Sequence, residues 1–124
     1  MAILNKTDEE IERDVRSILS FHKGKDNQVS RWKLVERVFG REAALNRGNN
    51  NRYDRRIREV ISKFRVTDLI VSSSGSSGYW LAKDMTDVEL IAEEYDKRAK
   101  DMLVKASNIR KRGTERFGPQ MPLL

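Results

Sequence analysis

The chain has no cysteine, a single histidine and two prolines in 124 residues, and both prolines lie among its last six positions. Without cysteine there is no disulfide framework and no cysteine-ligated zinc finger, a composition that suits a reducing compartment. His22 has no partner set by spacing, so it reads as a boundary histidine and not as a ligand or base. There is no HExxH pair and no glycine-rich phosphate loop. Gly75-Ser76-Ser77-Gly78 is too short and too serine-rich to be one, and Asp84, Asp87 and Glu89 are better explained by helix capping. An enzyme is not expected, nor a cofactor or a bound metal. No window carries the 18 or so consecutive apolar residues of a membrane span. Met1–Lys6 offers only Ala2-Ile3-Leu4 as an apolar run, too short for a secretion signal. The expected location is cytoplasmic, with no membrane partner. A chain of this length permits one real core.

What the sequence does have is a localised positive charge. Its net charge is +6, and the excess is uneven. Residues 41–65 hold eight basic side chains against three acidic ones, while residues 1–40 hold eight against seven and residues 66–112 eight against eight. A basic element confined to one segment is the footprint expected of phosphate contact. The plainer alternative is a helix that merely turns arginines to water.

Hydrophobic spacing gives the organisation. Thr7 with Glu10 forms a capping box, and Ile11, Val15, Ile18 and Leu19 share a face, predicting a helix over 8–21. Ser30 can cap a second helix whose apolar face is Leu34, Val35, Val38 and Phe39, with Trp32 closing the core edge and Gly40 ending it. The Gly48–Asn51 cluster breaks the chain before a third helix, 52–65, in which Tyr53, Ile57, Val60, Ile61 and Phe64 fall within a narrow arc. Thr67–Val71 and Tyr79–Ala82 favour strand and flank the turn Ser72–Gly78, which reads as a hairpin closing over the helices. Thr86 with Glu89 and Met85 with Leu90 predict a last helix over 87–112, about 39 Å long at 1.5 Å per residue.

The fold expected is mainly α with a small β-hairpin: a winged helix-turn-helix domain at 1–86, a long C-terminal helix at 87–112 and a flexible tail at 113–124. In a helix-turn-helix the second helix braces the third, which enters the major groove. Asn51, Arg52, Arg55 and Arg56 stand nearest the entering end and are the candidates for reading base edges, since Arg and Asn make paired hydrogen bonds to guanine and adenine. Arg41, Arg47, Arg58, Lys63 and Arg65 are candidates for phosphates, with Ser74 and Ser76 of the wing in support. In the last helix Val88, Ala92, Tyr95, Ala99, Met102, Ala106 and Ile109 recur in steps of four and three, a seam for a second copy or for the helix's own domain.

Three motifs carry a resemblance: Arg55-Arg56-Ile57-Arg58-Glu59-Val60-Ile61, the serine/glycine turn before Gly78-Tyr79-Trp80-Leu81-Ala82, and Arg98-Ala99-Lys100-Asp101-Met102-Leu103. Over 55–111, about half the chain, the sequence resembles a small winged-helix protein type carried by bacteriophages and prophages. That likeness implies a non-enzymatic, phage-type protein that binds double-stranded DNA in transcription regulation or replication, in the host cell cytoplasm. The type commonly has glycine before its first wing strand, where this chain has Arg65-Val66-Thr67-Asp68. The rival reading is a protein-interaction module that binds and redirects a host protein, and a structural virion component is a third.

Overall fold

The computed structural model describes residues 5–48, 50–72 and 78–118. Among them the order is α1 (Asp8–Leu19), β1 (Val29–Ser30), α2 (Arg31–Phe39), α3 (Arg52–Asp68), β2 (Ile70–Ser72), β3 (Gly78–Leu81) and α4 (Met85–Phe117). Single 3-10 turns occupy Lys25–Asn27 and Arg41–Ala44. The chain is mainly helical with a small antiparallel sheet, and it divides into two units, Met1–Ile91 and Ala92–Leu124. No helix among the described residues is long and apolar enough to cross a membrane.

In the first unit, three helices enclose the larger of two core clusters. The capping box of α1 forms as its residues dictate: Thr7 Oγ1 accepts from Glu10 N–H at 3.2 Å, and Glu10 Oε1 accepts from Thr7 N–H at 2.9 Å. Those hydrogen bonds hold the Glu10 carboxyl below its usual value, the backbone bond at Thr7 contributing most. Ile11, Val15 and Leu19 of α1 meet Leu34, Val38 and Phe39 of α2 and Ile57 and Ile61 of α3, all fully or almost fully buried. Tyr53 and Phe64 lie half-buried against that cluster, with the Tyr53 ring 5.0 Å from Phe39. Ser30 caps α2 by accepting from Lys33 N–H at 3.1 Å, and Gly40 ends it at φ 103°, a region that favours glycine. His22 is a joint in the loop after α1, its Nδ1 2.8 Å from Asn27 O and its Nε2 3.2 Å from Arg37.

The sheet has three strands where the sequence suggested two. Its order is β1-β3-β2, with Val29 opposite Tyr79 and Ser72 opposite Tyr79 on the other side. A two-residue strand running straight into a helix leaves no alternation to detect, which is why β1 escaped notice. The hairpin is apolar on both faces. Ile70 and Tyr79 join the helical core, whereas Val71 and the fully buried Trp80 point the other way and pack with Ile91 of α4. This is the two-residue period of a strand used to serve two cores.

Several boundaries differ from the expected ones. α1 stops at Leu19, where Ser20 caps it, and not at residue 21. α3 runs three residues past Arg65, because Arg16 of α1 grips Asp68 through two hydrogen bonds of 2.7 and 3.1 Å and Leu69 then ends the helix at φ 57°. Thr67 and Asp68 therefore belong to α3 and not to the strand. The helix start expected at Thr86–Glu89 is set two residues earlier: Asp84 accepts from Asp87 N–H and Asp87 accepts from Lys83 N–H, both at 3.0 Å. The last helix also passes through Gly113 to Phe117, so the tail expected from 113 is helical over its first five residues. Gly118, at φ 80°, ends it by donating to Thr114 O at 2.9 Å. Residues 119–124 of that tail lie outside the described residues.

Candidate nucleic-acid interface

The outer surface of α3 is a single row. Arg52, Arg55, Glu59, Ser62 and Val66 follow one another in steps of three and four and are all exposed, the signature of one helix face. On the opposite side Ile57 and Ile61 anchor the helix in the core. Between the row and the core run two edges, and there the intramolecular chemistry decides which cations are free.

Along the edge beside α1, Arg56 donates to Lys6 O at 3.1 Å and to Asp8 Oδ1 at 2.8 Å, and Lys63 pairs with Glu12 at 2.8 Å. A shallow cleft of about 130 Å³ lies there, lined by Asp8, Glu12, Arg56, Glu59 and Lys63 with Ile11 and Val60. It is smaller than the roughly 300 Å³ at which small-molecule sites begin, and its charges nearly cancel. The expected base-reading role of Arg56 therefore meets a side chain already directed at α1.

Along the other edge sits Asp54, fully buried. Arg31, the first residue of α2, grips it with both arms of its guanidinium, Nε to Oδ1 at 2.8 Å and Nη2 to Oδ2 at 2.6 Å. Arg58, one turn along α3, donates to Oδ2 at 3.0 Å. The hydrogen bond to Asp54 raises the Arg31 pKa further above its usual value, opposed in part by burial. Tyr79 borders this group, and burial pushes its phenol pKa up. Arg65, two turns beyond Arg58, donates to Ser72 Oγ at 2.8 Å and so links α3 to the base of the hairpin. Sequence reading missed both Asp54 and Arg31. Helical phase held a signal for the first: at 100° per residue Asp54 lies about 20° from Ile61, inside the buried arc, and Arg58 is its i+4 partner. Nothing in the sequence marked Arg31.

Asn51 requires a correction. It is 6 % exposed, and all four of its hydrogen-bonding capacities are used inside the protein. Its Oδ1 accepts from Tyr53 N–H at 2.9 Å and Asp54 N–H at 3.0 Å, while Nδ2 donates to Ala43 O at 2.7 Å and Asn46 O at 2.8 Å. An asparagine so engaged has nothing to offer a base edge. It is the N-cap of α3 and also the staple that fastens the preceding loop to that helix end.

The remaining cations are the open ones. Arg55 is exposed, and among the described residues its side chain makes no hydrogen bond or ion pair. Arg52 lies over its neighbour Tyr53, 5.0 Å from the ring centre, and donates to the phenol oxygen at 3.0 Å. Arg41 and Arg47 are exposed in the loop that Asn51 fastens. Ser74 and Ser76 lie outside the described residues. Among the described residues no group of three or more acidic or histidine side chains could hold a metal ion. In α4, Val88 is half-buried, Tyr95 is 38 %, Met102 69 % and Ile109 70 % exposed, Ala92 and Ala99 are exposed and Ala106 is half-buried. No protein-family model matches the chain, and neither a curated protein nor a solved structure matches it significantly.

Proposed function

We propose that the protein binds double-stranded DNA as a winged helix-turn-helix module, with α3 entering the major groove and the β2–β3 hairpin lying against an adjacent backbone. The observation that carries this reading is the exposed row on α3. Among the described residues Arg52 and Arg55 stand at its N-terminal end outside any ion pair, next to a fastened loop that adds Arg41 and Arg47. The element order supports it: a strand before the second helix, a hairpin after the third, and a β1-β3-β2 sheet closing the helical core. A helix N-terminus adds its own partial positive charge for phosphate. Arg55 is the strongest candidate for guanine. Glu59, Ser62 and Val66 continue the row and suit cytosine N4, a mixed polar edge and a thymine methyl respectively. Arg41 and Arg47 serve phosphates. The phage-like motifs over 55–111 point to a role in transcription regulation or replication.

Fluorescence-polarisation titration of the whole protein with duplex and single-stranded DNA across a salt series tests the reading. Duplex binding that weakens steeply with salt is expected. Arg55→Ala should lower affinity for a preferred duplex by about 1–3 kcal/mol and flatten sequence preference. Absence of duplex binding at low salt, joined to stable capture of a host protein, would replace this reading with the protein-interaction module.

A further inference from the structure

We infer that Ala92–Phe117 pairs with the same segment of a second copy of this chain, antiparallel, in the register that sets residue 92 opposite residue 109. Three observations converge. The first is exposure. From Ala92 to Phe117 no side chain is buried, and only Glu94, Ala106 and Gly113 are even half-covered. Helices in water are held chiefly by packing an apolar face, and this one has a seam at heptad spacing that stays open to water among the described residues.

The second is charge. Between Met85 and Asp96, α4 carries five acidic residues and no basic one, whereas Lys97–Phe117 carries eight basic and two acidic. A parallel pair would lay acid on acid and base on base along its whole length. An antiparallel pair lays each acidic end along the basic end of the other copy.

The third is shape. The seam alternates small and large: Ala92, Tyr95, Ala99, Met102, Ala106, Ile109. Parallel in-register pairing would stack Ala on Ala and Tyr on Tyr, so that narrow and wide layers alternate. The antiparallel register 92:109 puts Ala92 against Ile109, Tyr95 against Ala106 and Ala99 against Met102, then repeats the three by symmetry. Every layer then has one small and one large partner and the helix axes can stay evenly spaced. One kind of like-charge neighbour results, Arg98 beside Lys105 of the second copy and its symmetry mate, and Glu94 offsets each through its 2.6 Å bond to Arg98. Leu103 widens the seam on one flank, while Val104 falls outside it.

The absence of native cysteine makes the test direct. Ala92→Cys and Ile109→Cys proteins, each otherwise whole, are prepared separately and then mixed in a glutathione redox buffer. The mixture should give a disulfide-linked heterodimer, and neither variant alone should crosslink. In this register two copies of residue 92 stand about 26 Å apart along the axis, far beyond the roughly 7 Å a disulfide spans. Sedimentation of the unmodified protein should show a dimer at micromolar concentration, and Met102→Glu should convert it to monomer. Trp32 and Trp80 both lie in the first unit, so unchanged tryptophan emission verifies that Met102→Glu leaves that unit folded. Homodimeric disulfides from Ala92→Cys alone overturn the orientation, and a monomeric unmodified protein at 100-fold higher concentration overturns the pairing. No readout contains DNA, so the outcome stands apart from the DNA-binding reading.

Discussion

Asp54→Asn should cost the first unit about 3 kcal/mol, a loss that follows from the geometry of one carboxylate. Asp54 is fully buried and receives three guanidinium hydrogen bonds, two from Arg31 and one from Arg58. The amide can keep one acceptor, but its NH2 must then face an N–H of a guanidinium. Arg31 is left charged with its side chain only 25 % exposed. Breaking one partner of a buried ion pair costs about 3–5 kcal/mol. The lower end applies here, because Arg31 keeps a route to water and Arg58, 46 % exposed, keeps a wider one. For a unit of this size that loss lowers Tm by roughly 12–24 °C. Urea denaturation followed by tryptophan emission measures it, with Asp54→Leu joined to Arg31→Met as the reciprocal variant. An apolar pair of similar volume should recover most of the loss, since removing both charges together carries no uncompensated burial. A second readout separates packing from charge: Asp54→Asn frees Arg58, so the salt dependence of duplex binding should steepen by about one unit even as stability falls. A loss under about 1 kcal/mol for Asp54→Asn would refute the claim that this clamp joins α2 to α3.

Asn51→Ala should destabilise by about 3 kcal/mol in urea melts, because it removes an N-cap worth about 1 kcal/mol and orphans two carbonyls at about 1 kcal/mol each. Asn51→Asp keeps the cap acceptor but loses both donors, so a full loss in that variant assigns the effect to the loop staple, and no loss assigns it to the cap. Stability at high pH should fall through Tyr79. Its phenol pKa is raised in the folded state by burial, with Asp54 reinforcing the shift, so the neutral form is favoured there. The contribution is full below the unfolded value near 10 and is lost as pH rises through the higher folded one. Tyr79→Phe should flatten ΔG against pH above about 10, and an identical alkaline decline in that variant would sink the assignment.

The helices were legible because periodicity and capping are local. Thr7 with Glu10 and Ser30 ahead of Lys33 fixed two starts to the residue, and the apolar arc of α3 placed Ile57 and Ile61 in the core. What escaped depends on contacts distant in sequence. Asp68 stays helical because Arg16 reaches it from α1, and β1 exists because β3 pairs with it, neither of which a window of sequence can report. The hairpin was expected to close over the helices, but Trp80 faces away from them and Ile91 covers it. The candidate site was half visible. Its exposed row follows from helical phase, yet Asn51, Arg56 and Arg58 were counted as available when each had an internal partner that a linear tally of charge cannot see.

That distinction changes what the basic segment can contribute. Long-range attraction follows net charge and is untouched by internal pairing, but contact requires a guanidinium or ammonium that can leave its partner. Arg41, Arg47, Arg52 and Arg55 can do so freely. The Arg56–Asp8 and Lys63–Glu12 pairs are partly exposed at 2.8 Å, and such pairs contribute about 0–1 kcal/mol, little enough for a phosphate to displace the acid. Arg58 is held more firmly, by a carboxylate that cannot follow it into water. With Arg55 given to a base, three to five phosphate contacts per chain are thus accessible without opening the Asp54 clamp. At about 0.9 unit per phosphate, log K against log salt should slope between about −2.7 and −4.5 per chain. A slope near −7, as all eight basic residues of the segment would give, requires Arg58 and Arg65 to abandon their partners on the duplex. Asp54→Asn would then leave the slope unchanged, and that pair of results would overturn the division into free and committed arginines.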